Sequence, residues 1–220
     1  KNLLSNNKIK PKYNDTLAIR GILTKSPKNI DNKNITLFLG SDFHYVFYPV
    51  NPRGELNFIA IMKHELSLEE QKNYRLFIDD SFIKKVLKKI PLKNKDFLYD
   101  LKELKIFPVF VSENFHKLQN NNIHLIGDAF FAFPPSFAQG ASQSIEGAYE
   151  LFKSIENNTE SNFFQNRVNK TKMVNIRSRF NQFAFHLSNP LTVLFRNVFL
   201  KILVRNKKFL KFYLGKIYSN

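Results

Sequence analysis

The 220-residue chain carries 34 Lys and Arg against 18 Asp and Glu, a net charge of +16, and 43% of its residues are hydrophobic, including 24 Phe. That load is ample for a real core and excludes a disordered chain. No Cys is present, which excludes disulfides, thiolate metal sites and a Cys nucleophile. No apolar run reaches about 18 residues, so a membrane-spanning helix is not expected. The chain opens on Lys1 rather than Met and shows no charged-then-apolar leader; it is expected to be a segment of something longer.

Residues 1–15 are polar and expected to be irregular. Thr16 to Leu23 reads as a strand with Arg20 inside it, and Thr24 to Asn34 as a loop rich in Lys, Asn and Pro. Ile35 to Leu39, Phe43 to Val50 and Leu56 to Met62 are β-branched and aromatic, and read as three strands. Asn51-Pro52-Arg53-Gly54 joins the last two, with Pro and Gly placed for a type I turn. Along the first hairpin strand His44, Val46, Tyr48 and Val50 share one face, and Phe43, Tyr45 and Phe47 the other. Both faces are apolar, so a sheet covered on both sides is expected.

Ser67, with Glu69 and Glu70 behind it, reads as a helix start. A second helix is expected from Asp79 or Asp80 to Ile90, ended by Pro91. Ile106 to Ser112 reads as a strand, and so does the short apolar run Ile123 to Ile126. After Pro134-Pro135 a helix is expected near Gln139, with Ala141, Ile145, Ala148, Phe152 and Ile155 forming one helical stripe. A long helix follows from about Ser161, in which Ile176, Phe180, Phe183 and Leu187 repeat that spacing. Pro190 breaks it, and a basic amphipathic helix or helix pair closes the chain.

The charge is unevenly spread. From Ser161 to Asn220 there is no Asp or Glu, while Arg167, Lys170, Lys172, Arg177, Arg179, Arg196, Lys201, Arg205, Lys207, Lys208, Lys211 and Lys216 supply twelve bases. Such a tail suits a membrane surface, nucleic acid or an acidic partner. It equally suits solvated helix faces in a chain rich in Lys and Asn throughout.

The segment that carries chemistry is Ile123-His124-Leu125-Ile126-Gly127-Asp128-Ala129, followed by Pro134-Pro135-Ser136-Phe137-Ala138-Gln139-Gly140-Ala141-Ser142. A strand ending in Gly-Asp presents a carboxylate that can accept hydroxyl hydrogen bonds from a sugar-like chain. A proline-stiffened loop follows, and small residues open a helix whose free N–H groups and dipole favour negative charge. Taken alone, a Gly-Asp pair is most often a local cap. With this spacing, the arrangement suits an anionic, polyhydroxylated cofactor. His64, His116, His124 and His186 are scattered and give no metal spacing, and no Gly-x-Ser-x-Gly nucleophile motif occurs.

This segment resembles the second FAD motif of the class A flavoprotein aromatic hydroxylases, the group of p-hydroxybenzoate and salicylate hydroxylases. The resemblance extends to Ala18-Ile19-Arg20-Gly21, to Gly40, to His44 through Tyr48-Pro49-Val50, to Asn57, and to Arg177, Arg179 and His186-Leu187. It implies an α+β fold: an antiparallel or mixed substrate-binding sheet with helices over residues 1–112, a strand-loop-helix FAD motif over 113–157, and basic C-terminal helices over 158–220. This is part of the p-hydroxybenzoate hydroxylase-like fold. It further implies that Asp128 binds the ribityl chain of FAD, with Gly127, Ala129 and Pro134 beside it. Pro135 would lie by the reactive edge of the isoalloxazine, and Gln139, Gly140, Ala141 and Ser142 at its pyrimidine end. Arg20, His44 and Tyr48 become the substrate-binding candidates, and His44 or Tyr48 the group that orients or deprotonates a phenol; a packed strand histidine and a structural ion pair of Arg20 are the plainer readings.

The activity implied is monooxygenation of an aromatic or quinone-precursor substrate with NAD(P)H and O2, in a cytoplasmic setting or at the inner face of a membrane. Two departures stand out. Phe130-Phe131 replaces the usual Ala-His, which touches substrate class more than FAD binding. The Gly-x-Gly-x-x-Gly nucleotide fold is absent, so the chain is expected to be a C-terminal fragment that binds FAD weakly or not at all alone. The rival reading is a non-enzymatic basic module that meets membrane or nucleic acid through residues 161–220. The alternation of its bases with Phe, Leu and Val argues for packing first and against nucleic acid.

Overall fold

The computed structural model describes residues 10–27, 30–31, 33–90, 96–118 and 123–218, with residues 214 and 216–218 described by backbone only. The chain divides into two compact units. One comprises Tyr13–Val109 with Phe185–Ser188; the other comprises Phe110–Ala184 and Asn189–Asn220, together with the chain start. The expected segments 113–157 and 158–220 thus fall in one unit, apart from Phe185–Ser188.

The first unit is built on five strands: β1 (Lys12–Leu23), β2 (Thr36–Gly40), β3 (Phe43–Pro49), β4 (Leu56–Lys63) and β5 (Lys102–Val111), in the order β2-β3-β4-β1-β5. β2 with β3, β3 with β4, and β4 with β1 pair antiparallel. β1 starts earlier than the sequence suggests, because Tyr13 and Thr16 are buried and Tyr13 Oη donates to His64 O at 2.6 Å. The expected irregular start is therefore corrected from Lys12 onward. β5 likewise begins at Lys102 rather than at Ile106. The hairpin turn forms as expected: Gly54 N–H donates to Asn51 O at 3.3 Å, Arg53 N–H to Asn51 Oδ1 at 3.0 Å, and Gly54 takes φ +82°. The asparagine side chain closes this turn locally.

Register sorts the sheet into two unlike faces. Phe47↔Phe58↔Gly21 and Tyr45↔Ala60↔Ile19 run along one. Here Phe47, Phe58, Leu17, Ile19 and Leu56 are almost wholly buried, with Phe97 edge-on to Phe47 and Phe58 at 5.6 and 5.7 Å. Gly21 lies under Leu101, whose Cβ would stand 3.0 Å from an added Cβ. The opposite face carries Tyr48↔Asn57↔Ile22, Val46↔Ile59↔Arg20 and His44↔Ile61↔Ala18. Its Val46, Tyr48, Ile59 and Ala18 are only partly buried, and Arg20 is exposed. The expectation of two covered faces is thus met fully on one side only.

Ser67 and Glu70 do cap each other, with Glu70 N–H donating to Ser67 Oγ at 3.2 Å and Ser67 N–H to Glu70 Oε2 at 2.8 Å. Only short 3₁₀ turns follow, at Glu70–Lys72 and Tyr74–Ile78. The predicted helix fails because its apolar members Leu68 and Tyr74 find no core and stay exposed; a cap without a buried stripe does not sustain helix. Helix α1 (Asp80–Lys89) is capped by Asp79, whose carboxylate accepts from Phe82 N–H at 2.8 Å. Pro91 lies outside the described residues.

The second unit holds the one-turn helix α2 (Gly127–Phe130), α3 (Gly140–Glu156), most of α4 (Glu160–Phe185), α5 (Pro190–Leu203) and α6 (Lys207–Tyr218). Ile123–Ile126 is not a strand, though Ile126 itself is extended. A strand requires a ladder partner, and none of the described residues pairs with it. Phe130, Phe131 and Val168 form a small core with Phe115, Leu125, Phe133 and Phe164.

α3 is built inside out, whereas α4 buries Phe163, Val168 and Val174 instead of its predicted stripe. The predicted stripe of α3 faces water, with Ile145 72% and Phe152 59% exposed, and so does that of α4, with Phe180 59% exposed. The buried side of α3 is Gln143 and Gly147, turned toward the guanidinium of Arg167 on α4. Arg167 is 4% exposed. It donates to Gln143 O and Oε1 at 3.0 Å each and to Glu150 Oε2 at 3.1 Å, and lies 3.9 Å from Glu146 Oε1. Lys170 reaches Glu146 at 2.9 Å. Gly147 leaves room for this: an added Cβ would stand 3.3 Å from Arg167 Nε.

Candidate functional site

Gly127 is the pivot of the Gly-Asp turn. Its φ of +54° is left-handed, and an added Cβ would stand 2.6 Å from Ser144 Oγ on α3. Glycine is therefore demanded twice, by conformation and by close approach. The turn carries on for one helical turn, with Phe130 N–H donating to Ile126 O at 3.2 Å and Phe131 N–H to Gly127 O at 3.0 Å. This leaves Asp128 and Ala129 exposed while Phe130 and Phe131 go inward. The Phe pair that departs from the family pattern is thus core: Phe131 stacks on Phe115 with ring centroids 4.3 Å apart, and Phe130 lies 5.7 Å from Phe115. Asp128 makes no hydrogen bond or ion pair with the described residues, so its carboxylate is available.

The loop that follows is fixed from several directions. Ser112 N–H donates to Ala132 O at 2.7 Å, and Ala132 N–H returns to Ser112 Oγ at 3.0 Å. Ser178 Oγ donates to Pro134 O, and Asn181 Nδ2 to Ser136 O at 3.3 Å. Pro135–Phe137 makes a 3₁₀ turn closed by Ala138 in the left-handed region at φ +52°. Gln139, buried, then leads into α3. No side chain caps the start of α3, and nothing lies within 4 Å of a Cβ built on Gly140. Ala141 and Ser142 are exposed beside it. The result is an open helix start with uncapped N–H groups, which attracts a carbonyl or anionic edge. Between the turn and the helix, Gly127, Asp128, Gly140, Gln143 and Arg167 line, with the rings of Phe130, Phe131, Phe133 and Phe163, a cavity of about 10 Å³, room for about one water. The ligand-facing features are thus the exposed Asp128 carboxylate and the open helix start, and not this cavity.

In the sheet unit, Arg20, His44, Tyr48 and Asn57 share the less covered face. Arg20 Nε donates to Asn57 Oδ1 at 3.4 Å, a long bond. Asn57 is fully buried, yet its Nδ2 has no partner. His44 is buried, with Nδ1 2.8 Å from His186 Nε2 and its ring edge-on to Phe185 at 5.2 Å. Burial, and then the neighbouring imidazole, push the pKa of His44 down to about 3; burial lowers His186 to about 4, against the opposing pull of Asp42. Both rings are neutral at pH 7, one donating and the other accepting.

Sequence reasoning missed this imidazole pair, which spans 142 positions and leaves no local signal. It also missed Arg167. The trace of that network was present as Glu146 and Glu150, one turn apart on the polar side of α3 and aligned for a single cation.

No protein-family model matches the chain, and no curated protein sequence is similar to it. The fold is that of FAD-dependent monooxygenases over about half of their length. Solved structures similar to the chain include HpxO of Klebsiella pneumoniae complexed with FAD and uric acid (15% identity, TM-score 0.66, 87% of this chain and 50% of that one). A salicylate hydroxylase in a substrate complex is similar too (19% identity, TM-score 0.58, 82% of this chain and 49% of that one). So is 2,6-dihydroxypyridine-3-hydroxylase from Arthrobacter nicotinovorans (16% identity, TM-score 0.63, 86% of this chain and 56% of that one). The chain spans about half the length of these structures. Among the described residues no helix is long and apolar enough to cross a membrane, and no cluster could hold a metal ion.

Proposed function

We propose that the chain supplies the substrate sheet and the second flavin-contacting turn of an FAD-dependent monooxygenase that uses NAD(P)H and O2 on a small aromatic or quinone-precursor substrate. The observation that carries the reading is the turn at left-handed Gly127, which presents an Asp128 carboxylate without a partner among the described residues, close to the open start of α3. When bound, FAD would take up reducing equivalents from NAD(P)H and activate O2; the chain's residues position and shield. Asp128 accepts hydrogen bonds from ribityl hydroxyls, with Gly127 and Ala129 shaping the turn around it. Backbone N–H groups of Gly140, Ala141 and Ser142 meet the pyrimidine edge, Gln139 sets the helix start, and Pro134 and Pro135 hold the loop beside the ring. Phe130 and Phe131 keep water out from behind. Arg20 pairs with a substrate carboxylate or enolate. Tyr48 and His44 orient its hydroxyl, His44 as a neutral imidazole backed by His186; with its pKa held down to about 3, His44 is too weak a base to deprotonate a phenol.

The outward stripes of α3 and α4 support the further reading that this is one half of the enzyme, since a larger fold would bury them. The test is expression of the complete open reading frame that contains these 220 residues. A yellow protein is expected that releases FAD on denaturation and oxidises NAD(P)H when given a phenolic substrate. The isolated 220-residue chain is expected to retain FAD weakly or not at all. A colourless full-length protein with no flavin on release would overturn the assignment.

A further inference from the structure

The closing helices carry an exposed face that the proposed reaction does not use. Two sides of α5 are apolar. Val193, Arg196, Leu200 and Leu203 are partly buried, and Arg196 Nη1 donates to Ala184 O at 3.3 Å. The opposite side carries Leu191, Leu194, Phe195, Val198, Phe199 and Ile202, spaced 3, 1, 3, 1 and 3, which is one continuous helical stripe. All six lie in water, with exposures from 49% at Val198 to 68% at Leu191. α6 is fixed in turn: Arg177 stacks on the Tyr213 ring at 5.0 Å and donates to Tyr213 O, and Tyr213 Oη donates to Asn181 Oδ1 at 2.8 Å.

Charge separates this stripe from that of α3, which has Glu156 at its border and Glu146 and Glu150 on the helix's other side toward Arg167. The α4 stripe shares the acid-free surroundings. The α5 stripe runs into Lys201, Arg205, Lys207, Lys208 and Lys211, all exposed, in a region without a single acid from Ser161 to Asn220. An apolar face bordered by cations alone complements a surface that is apolar within and anionic at its rim. We infer that α5 and the start of α6 form a docking surface for an anionic lipid bilayer. The six stripe residues lie at the acyl–headgroup boundary, and Lys201, Arg205, Lys207, Lys208 and Lys211 meet lipid phosphates. The inference is independent of the flavin reading, since none of these residues belongs to the Gly-Asp turn or the sheet.

The 220 residues hold no Cys, so once any Cys elsewhere in the full-length protein is replaced by Ser, one introduced thiol gives one label. Val198→Cys, and Lys172→Cys on the exposed side of α4 as control, would each carry an environment-sensitive fluorophore. They would be mixed with vesicles of phosphatidylcholine alone or with about one-third phosphatidylglycerol. The label at 198 is expected to shift to the blue only with the anionic vesicles, and the label at 172 to stay unchanged. In co-flotation, removing Arg205, Lys207 and Lys208 together should weaken binding about a hundredfold, at about fivefold per base. Phe195→Asp/Phe199→Asp should abolish it without changing the far-ultraviolet circular dichroism. Any of three results would overturn the inference: no blue shift at 198, equal flotation of the Asp variant, or a stripe found capped by a second copy as a dimer that the Asp variant dissociates. Salt-sensitive RNA retention without flotation would assign the bases to nucleic acid instead and refute it as well.

Discussion

Replacing Arg167 by alanine removes a guanidinium that is 4% exposed and bound to Gln143 at 3.0 Å through both backbone and side-chain oxygens, and to Glu150 at 3.1 Å. The variant leaves the Gln143 amide oxygen buried without its donor and the Glu146–Glu150 pair facing each other across the vacated space. Breaking a buried ion pair from one side costs about 3–5 kcal/mol. Glu146 and Glu150 keep 21% and 29% side-chain exposure, so water recovers part of the loss and about 3 kcal/mol is expected. For a chain of this size that lowers the melting temperature by roughly 6–12 °C. Thermal melts followed by circular dichroism at pH 7 read it directly. The double variant Arg167→Met/Glu150→Gln should recover most of the loss, because it removes that charge pair from both sides and leaves Glu146 with Lys170 at 2.9 Å. A fall of less than about 2 °C in Arg167→Ala, or a double variant as unstable as the single, would refute the view that this network holds α3 on α4.

The His44–His186 pair predicts acid sensitivity. Both folded pKa values lie below the ordinary 6.5, at about 3 and about 4, so the unfolded chain takes up protons first. The stability these neutral rings contribute is complete above pH 6.5 and is lost as pH falls from there toward 4 and then 3; His44→Phe/His186→Leu should flatten that limb in pH-dependent melts. Gly127→Ala should cost about 1–2 kcal/mol for the left-handed backbone alone, with a further loss from Ser144 that a Ser144→Ala background relieves, again read by melting. Asp128→Ala, at an exposed position, should leave the free energy of unfolding within about 0.5 kcal/mol of wild type. In the full-length protein it should weaken FAD retention roughly 10- to 100-fold, the worth of a charge-assisted hydrogen bond, as measured by equilibrium dialysis; unchanged retention would remove Asp128 from the cofactor's contacts.

Much of the sheet was legible because alternation and turn chemistry act over a few residues. Asn51-Pro52-Arg53-Gly54 and Asp79 each declare their hydrogen bonds within three positions. The Gly127 turn was legible for the same reason: small residues at fixed spacing record where backbone must come close. What escaped was set by distant partners. Ser67 and Glu70 made their cap, but the helix needed a core that Leu68 never finds. Ile123–Ile126 had strand composition and no neighbour to pair with. The stripes of α3 and α4 had the right period, but period does not say which side faces inward. On α3 the inward side is Gln143 and Gly147, against Arg167; on α4 it is Phe163, Val168 and Val174 together with Arg167.

Those outward ridges make the isolated chain a colloid with attractive patches. Its net charge of +16 supplies the long-range repulsion, and the patches supply a short-range attraction that strengthens on warming. Added salt shortens the first without weakening the second. The chain's solubility is therefore governed by ionic strength and temperature together. Low salt and cold favour dispersed molecules, and warm, salty solution favours clusters joined ridge to ridge, with the folded interior of each molecule unchanged.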